Sequence, residues 1–248
     1  EQLVRFDNSP LFPPRAAYTL KYELSDAEAD LYEQVTRYVR EEFNRADRLD
    51  EKRRGTVGFA LTILQRRLAS SPAAIYSSLE RRRKRLEDQL RERELLQRGA
   101  RTASDRMRWL SKEELEDLYD APEDEVEDAE ETAVLRATTA ETIEELKAEI
   151  ETLDRLEKLA QAVVRSGQDR KWQELSRLLQ DDTNMFDSAG NRRKLVIFTE
   201  HKDTLRYLEN KVSNLIGDPQ KVVTIVGGMA RDARRAAEAQ FKQDAGVS

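Results

Sequence analysis

Two short stretches near the end of the chain carry residue types that can bind a phosphodiester backbone. A hydroxyl, an imidazole and an ammonium group follow one short apolar run, and a glycine pair and a methionine follow the next. Glycine lets the peptide backbone approach a phosphate closely, and the free N–H groups at the start of a helix favour an anion. The candidate nucleic-acid-binding residues in these stretches are Thr199, His201, Lys202, Gly227, Gly228 and Met229. A second interpretation stays open, in which the glycine pair is only a tight turn between a strand and a helix.

Arginines in the first half of the chain form a second group that could contact phosphates. Arg66 and Arg67 are adjacent, and residues 81–85 are consecutive basic residues with no acid among them. In the functional interpretation, these residues lie on a helical protrusion that contacts a nucleic-acid duplex. In the alternative, the run is a solvated helix face whose basic residues pair with acids such as Glu87, three or four positions away. We favour the solvated face for most of the run and retain Arg66 and Arg67 as candidate contacts.

The motifs that nucleotide-binding and metal-binding sites require are missing from the sequence. Gly227 and Gly228 are not followed by the Gly-Lys-Ser/Thr of a nucleotide phosphate-binding loop. The chain has no cysteine and His201 is its only histidine, so we predict no metal site and assign no catalytic residue. We expect His201 to be a loop residue or a backbone contact whose imidazole can titrate near neutral pH.

The elements around the candidate residues predict a small α/β unit. Residues 195–199 and 222–226 are short apolar runs rich in β-branched residues, and residues 203–212 and 231–241 have helical periodicity. An order of strand, helix, strand, helix with short connections predicts a parallel sheet covered by helices, in which the two runs pair. Ligands bind beyond the carboxyl ends of such strands, where the candidate residues lie.

Most of the preceding sequence is predicted to be helical. Residues 1–24 are expected to be extended, because three prolines block a helix and apolar residues then alternate with polar ones. Ser25 with Glu28 matches the capping box that begins a helix. Further helices are predicted after Gly55, at residues 73–97 and at residues 170–180.

An acidic stretch and a long amphipathic helix lie between these elements. Residues 113–131 contain twelve Asp or Glu and no Lys or Arg, and residues 122–131 are predicted to be a mobile linker because like charges repel. A capping box at Thr138 and Glu141 predicts the start of the long helix, and Gly167 suits its end.

The overall composition limits the function classes. A net charge of −6 argues against a protein that coats nucleic acid through bulk charge, although it leaves room for a local basic face. A charged fraction of 37% with only 6% aromatic residues is typical of a helix-rich protein. No apolar run is long enough to span a bilayer, and the lack of cysteine suits a reducing compartment, so we predict a cytoplasmic location and no membrane partner.

Four blocks of the sequence, in family order, resemble Swi/Snf-type helicases. KLVIFTEHKDTLRYLENKV followed by IVGGMARDARRAAEAQF resembles the start of the second RecA-like domain, with Gly227, Arg234 and Phe241 at the family's steps of seven. LFPPRAAYTLKYELSDAEADLYEQVTRYV resembles the exit from the first RecA-like domain, and ALTILQRRLASSPAAIYSSLERR resembles the helical spacer of the bacterial helicase-like branch. The resemblance covers roughly residues 10–90 and 194–247.

The resemblance implies a fragment of an ATP-dependent helicase or translocase of helicase superfamily two. Its implied partner is nucleic acid, with duplex DNA the first expectation, and its implied cofactors in the intact protein are ATP and Mg. This chain has neither the Gly-Lys-Thr loop of the family's first domain nor the arginine-finger motif of its second. We therefore expect the chain to bind no cofactor alone and to hydrolyse no ATP alone, but to contribute nucleic-acid contacts and coupling between domains.

Together these patterns predict a mixed, mostly α fold, in which a helical spacer and insertion with long helices precede a partial parallel α/β, RecA-like βαβα unit. The predicted divisions are a lead-in from the first RecA-like domain at 1–24, a helical spacer at 25–110, an acidic linker at 111–137, a long-helix insertion at 138–190 and a partial second RecA-like domain at 191–248. The alternative function is a non-enzymatic coiled-coil scaffolding or interaction module. Self-association through helices or through an open sheet edge is a further expectation.

Overall fold

The computed structural model describes residues 17, 19–97, 123–181, 185, 186, 190 and 193–243. The helices in this part of the chain are α1 (Asp26–Ala46), α2 (Glu51–Ser70), α3 (Pro72–Gln97), α4 (Glu123–Arg136), α5 (Ile143–Ser166), α6 (Arg170–Asp181), α7 (Lys202–Ile216) and α8 (Arg231–Gln243), with a short 3-10 turn at Pro219–Lys221. The described residues are thus mostly helical, which confirms the coarse fold prediction.

Local signals place several helix ends where the sequence predicts them. The Ser25 hydroxyl accepts a hydrogen bond from the Glu28 backbone N–H at 3.3 Å, and the Ser25 N–H donates back to the Glu28 carboxylate at 2.8 Å. This is the predicted capping box of α1. Gly167 ends α5 in the left-handed region, with φ of 68°, a conformation that glycine adopts without steric cost.

The start of α5 differs from the prediction. The capping box forms at Thr142 and Glu145, whereas Thr138 and Glu141 lie before the helix. The Thr138 hydroxyl instead donates to the buried carboxylate of Glu149 and accepts from the Ala140 N–H. Thr138 therefore makes tertiary contacts instead of the helix cap that its local sequence would allow.

The break between α2 and α3 has a clear local cause. Pro72 disfavours a helical conformation at Ser71, whose backbone is extended with φ of −161° and ψ of 154°. The Ser71 hydroxyl then accepts a hydrogen bond from the Ala74 N–H at 3.1 Å, which caps α3. This turn lies against the start of α7, which makes it part of the functional region.

One continuous hydrophobic core joins α1, α2, α3, α4 and α5. Helices α3 and α5 run antiparallel, because Tyr76 near the start of α3 contacts Gln161, while Glu94 near its end pairs with Lys147. The stripe on α5 that the sequence predicts as core or helix-pairing surface packs into this core, with Leu146 and Leu153 fully buried.

A buried ion pair ties four helices together inside this core. Arg82 is 1% exposed and donates to the Glu149 carboxylate at 2.7 Å, to the Tyr38 hydroxyl at 3.1 Å and to the Val134 carbonyl at 2.6 Å. Burial by itself lowers the pKa of Arg82, but Tyr38 and Glu149 raise it above its usual value, so the guanidinium stays charged. The network fastens α4 to α1, α3 and α5.

The described part of the acidic stretch is a packed helix, and the predicted mobile linker at residues 123–131 is wrong. Helix α4 buries Ala133, Val134 and the carboxylate-bearing Glu130 against the core. Repulsion among the acids of α4 is reduced, because arginines of α2 and α3 form ion pairs with two of them. The rest of the predicted linker, residues 111–122, lies outside the described residues.

The tail keeps the predicted helices but not the predicted strand pairing. Helices α7 and α8 lie where the sequence predicts them, and residues 195–199 and 222–226 are extended. Within the described residues, however, no ladder joins the two extended segments, and residues of both segments line one cleft. A smaller cluster around Leu179 and Val212 joins α6 and α7, and Trp172 packs against it.

Candidate nucleic-acid interface

A cleft of about 1030 Å³ lies between the first extended segment (residues 195–199), the second extended segment (residues 222–226) and α8. Five of the eight predicted nucleic-acid-binding residues line it: Thr199, His201, Lys202, Gly227 and Arg66. Four of them stand just after the carboxyl ends of the two segments, while Arg66 comes from α2 in the other half of the chain. The structure thus brings together candidates that the sequence places far apart.

The start of α7 provides backbone donors at this end of the cleft. His201 is the N-cap residue of α7 and makes no side-chain capping hydrogen bond. The first N–H groups of a helix have no partner within the helix, and the helix dipole makes this end favourable for an anion. Lys202, the first residue of α7, adds an ammonium group beside them.

Side chains of the α2–α3 turn hold the start of α7 in place. The Thr204 hydroxyl lies 2.7 Å from the Ser70 hydroxyl and 2.9 Å from the Ser71 hydroxyl. The next contact is an ion pair between Arg81 on α3 and Asp203 on α7, at 2.6 Å. These three polar contacts were not predicted, because the sequence contains no signal that pairs residues more than a hundred positions apart.

Arg66 lies at the rim of the cleft and is already bound to carboxylates. Its guanidinium pairs with Glu130 of α4 at 3.0 Å and with Glu200 at the end of the first extended segment. Its side chain is 40% exposed, so it can reach a ligand in the cleft if it exchanges these partners. The two acids are therefore competitors for the position that a phosphate would take.

Arg67 does not face the cleft. It is 4% exposed, and its guanidinium donates to the Ser78 hydroxyl at 2.8 Å and pairs with Glu131 at 2.8 Å. Its neighbour in space, Arg81, shares the same Glu131 at 2.7 Å. Arg67 thus holds α2, α3 and α4 together. It does not line the cleft, but its charge still lowers the pKa of His201.

The environment of His201 makes it neutral, in contrast to the expected titration near pH 7. The residue is 6% exposed, and burial, followed by the charges of Arg67 and Arg66, lowers the pKa of its imidazole to about 4. Its Nε2 atom has no hydrogen-bond partner among the described residues and lies 3.8 Å from a Glu200 carboxylate oxygen. A buried imidazole nitrogen without a partner is costly, which marks this position as one that a ligand can satisfy.

The glycine pair forms a tight turn at the end of the second extended segment. The Met229 N–H donates to the Val226 carbonyl at 3.3 Å, and Gly228 has φ of 74°, which requires glycine. Gly227 lines the cleft, while Gly228 and Met229 complete the turn behind it. The turn interpretation and the phosphate interpretation are therefore compatible at Gly227.

The basic run at residues 81–85 is used mainly inside the protein. Arg82 is buried in the core, and Arg83 pairs with Glu157 of α5 and with Glu87, each at 2.6 Å. Lys84 pairs with Glu80 at 2.7 Å. The preferred interpretation, paired helix residues rather than a phosphate-gripping surface, agrees with these contacts, although the partners include distant acids as well as local ones.

Within the part of the chain that the structure describes, the cleft residues do not fit a site for ATP and Mg. The turn at Gly227 lacks the lysine and the hydroxyl residue of a nucleotide-binding loop. Among the described residues, no group of three or more His, Asp or Glu side chains is arranged to hold a metal ion. In the same part of the chain, no helix combines the length and apolar character needed to cross a bilayer.

Comparison with known proteins adds no further constraint. No family model, no curated protein sequence and no solved structure matches the chain. The function is therefore inferred from the residues of the cleft and from the sequence blocks described above.

Proposed function

We propose that the chain is part of an ATP-driven nucleic-acid translocase or helicase of the Swi/Snf type, in which it contacts the nucleic-acid backbone and couples two domains. The observation that carries the proposal is the convergence of Thr199, His201, Lys202 and Gly227 with Arg66 in one cleft. Their residue types suit phosphate binding independently of their proximity in space. Gly227, Arg234 and Phe241, which carry the family spacing, also line this cleft.

The chemistry of the cleft suits a phosphodiester. Phosphate oxygens accept hydrogen bonds from the N–H groups at the start of α7 and from the Thr199 hydroxyl. Lys202 and Arg66 supply positive charge, and the guanidinium can bind two oxygens at once. His201, with an unpartnered Nε2, can donate to a phosphate once it takes up a proton.

The proposal includes a partial RecA-like fold for residues 193–243. Two extended segments alternate with α7 and α8 in the required order, and the candidate ligand residues follow the carboxyl ends of both segments. In the intact protein, ATP and Mg would supply the energy for movement, and they would be held by residues that this chain does not contain. The contacts of Thr204 with the α2–α3 turn provide a physical path by which the tail and the helical bundle move together.

Duplex DNA binding by single-residue variants tests the proposal. Replacing Lys202 or Arg66 with alanine should weaken binding of a labelled duplex about three- to tenfold and reduce the slope of log K against log salt by about 1 each. Lys158→Ala and Arg91→Ala are matched controls, because these side chains are exposed on α5 and α3 and pair only locally. Equal effects of the cleft variants and the controls would contradict the proposal, as would binding that is insensitive to salt.

A non-enzymatic helical interaction module is the second candidate function. The observation that favours it is the continuous core of α1 to α5, which includes the long antiparallel pair α3 and α5. This candidate predicts a protein partner for the bundle and no role for Lys202. A cleft whose variants leave DNA binding unchanged, together with a helical partner captured by the bundle, would favour it.

A further inference from the structure

A second cavity, of about 600 Å³, lies between the helical bundle and the tail. Its walls come from the α2–α3 turn, from the start of α6, and from the first extended segment with α7. This volume is within the range of about 300–1,000 Å³ that is typical of binding sites for small organic molecules. The second cavity adjoins the cleft described above, because both are lined by Arg66, Ile197, Phe198, Thr199 and Glu200.

Aromatic side chains from three separate parts of the chain line the second cavity. Tyr22 precedes α1, Trp172 lies on α6 and Tyr207 lies on α7. The ammonium group of Lys211 is 5.8 Å from the centre of the Trp172 ring and 5.5 Å from the centre of the Tyr207 ring. Lys211 is not among the lining residues, so it covers parts of the two rings that do not face the cavity.

One buried carboxylate holds two of these aromatic residues in place. Asp169 is 5% exposed, and it accepts hydrogen bonds from the Tyr207 hydroxyl at 2.8 Å and from the Trp172 backbone N–H at 2.9 Å. Burial, followed by the charge of Asp169, raises the pKa of Tyr207, so its hydroxyl stays protonated as a donor. The rings are therefore positioned before any ligand arrives, which lowers the ordering cost of binding.

The charges around the second cavity suit an uncharged occupant. The carboxylates that line it belong to Asp169, Glu174 and Glu200. The lysine that lines it, Lys171, already donates to the Ala69 carbonyl at 2.6 Å and to the Ser70 carbonyl at 3.3 Å. Arg66 lies at the rim that the cavity shares with the cleft. A phosphate is therefore favoured at this rim and disfavoured deeper in the cavity, where carboxylates would repel it.

A nucleobase has the properties that this cavity requires. It is flat and uncharged at neutral pH, it carries hydrogen-bonding groups on its edges, and it stacks on aromatic side chains. It is joined to its own phosphate through one sugar, so a phosphate bound at Thr199 and Arg66 would place its base beside the second cavity. A base within a duplex is stacked and paired, so only an unpaired or extruded nucleotide can enter such a cavity.

We propose that the second cavity binds the base of an unpaired nucleotide whose phosphate lies at the rim shared with the cleft. This binding site rests on the proposed function and specifies its substrate, because the strand that the chain contacts must then contain an unpaired nucleotide. Stacking on Tyr207 and Trp172 would supply affinity with little preference among bases, since every base has a π face. Phosphate contacts alone would not distinguish a strand with bases from one without them.

Two single strands of equal charge test the proposal with the full chain. One is a fluorescein-labelled strand of about ten thymidines, and the other has the same number of phosphates but carries abasic sites in place of the bases. Fluorescence anisotropy should show that the thymidine strand binds about five- to a hundredfold more tightly, which is the range expected for stacking of one base. Equal affinities for the two strands would overturn the proposal.

Variants locate the preference for bases in the second cavity. Tyr207→Leu keeps apolar volume but removes a stacking ring, and it should reduce the preference about three- to tenfold while the affinity for the abasic strand stays unchanged. Tyr76→Leu is the matched control, because Tyr76 lines neither cavity and its hydroxyl accepts from Gln161 on α5, at 3.1 Å, so the variant also loses a ring and a hydrogen bond. Equal preferences in the two variants would overturn the proposal.

Ala69→Leu provides a second variant in case Tyr207→Leu disturbs the fold of the tail. Ala69 is exposed and lines the cavity, and its carbonyl contact with Lys171 does not depend on its side chain. The added side chain should obstruct the cavity and reduce the preference for bases in the same direction. A preference that matches that of the wild type in this variant would count against the cavity as the site.

Lys202→Ala separates failure of the base site from failure of the proposed function. Lys202 lines the cleft but not the second cavity. If this variant weakens both strands equally while the wild type shows no preference for bases, the phosphate contact stands and the base site is wrong. If the wild type binds neither strand and no duplex, the proposed function fails and the base site fails with it.

Discussion

Replacing Glu130 with glutamine should strengthen binding of duplex DNA, because Glu130 competes with phosphate for Arg66. The carboxylate lies 3.0 Å from the Arg66 guanidinium, and the arginine side chain is 40% exposed. Glu130 is the buried partner of this pair and Arg66 the solvated one, and solvent screening at Arg66 keeps the contribution of the ion pair at about 0.5–1 kcal/mol. Arg66 must give up that contact to bind a phosphate, so removing it should raise the affinity for DNA about two- to fivefold.

Asp128→Asn is the matched control for Glu130→Gln. Asp128 lies on the same helix α4, is exposed, and its substitution changes the net charge by the same amount. Fluorescence anisotropy with a labelled duplex of about twenty base pairs, at about 50 mM and about 200 mM salt, would separate the local effect from the general one. Thermal unfolding of each variant checks that α4 stays packed. If the two variants change DNA affinity equally, or if Glu130→Gln weakens it, the competition between Glu130 and phosphate is refuted.

Three other predictions follow from buried groups and from packing. Arg82→Met should lower the free energy of unfolding by about 3–5 kcal/mol, because it leaves the Glu149 carboxylate buried and unpaired. In a denaturant titration, the double variant with Glu149→Leu should recover most of that loss. Losses that simply add in the double variant would contradict this. Because the pKa of His201 falls from 6.5 to about 4 on folding, the unfolded state takes up the proton first. The wild type should therefore lose stability relative to His201→Asn as the pH falls from about 6.5 to about 4, while the stability difference between the two stays constant above that range. Thermal-unfolding curves that stay parallel from about pH 6.5 to about pH 4 would argue against the buried imidazole. Amides in residues 194–242 should exchange faster than amides in residues 150–180, since the tail buries few residues while α5 lies in the core; the reverse order by mass spectrometry would be inconsistent with this packing.

The helices illustrate what local sequence patterns can predict. The capping box at Ser25 and the left-handed Gly167 depend on interactions within a few residues, and both appear at the predicted positions. The apolar stripe of α5 likewise requires only a helical period and a core to face. Where a distant partner competes, as the Glu149 carboxylate does for Thr138, the local prediction fails.

The candidate site likewise has features that the sequence predicts and features that it does not. Residue chemistry was enough to select Thr199, His201, Lys202 and Gly227 as possible phosphate contacts, because hydroxyl, imidazole, ammonium and glycine have fixed hydrogen-bonding and steric properties. It was not enough to predict that Glu130 of α4 would pair with Arg66, since a run of like charges is expected to be mobile unless the opposing charges are known to be near.

The sequence by itself determined most of the helices outside α4, several of their ends and the residue types gathered at the cleft, since these depend on short-range sterics and hydrogen bonding. Only the tertiary structure decided which charges are exposed, that His201 is neutral and that no ladder joins the two extended segments within the described residues. The physical reason is that desolvation and ion pairing depend on what the fold brings close in space. Strand pairing likewise depends on which extended segments the fold brings side by side.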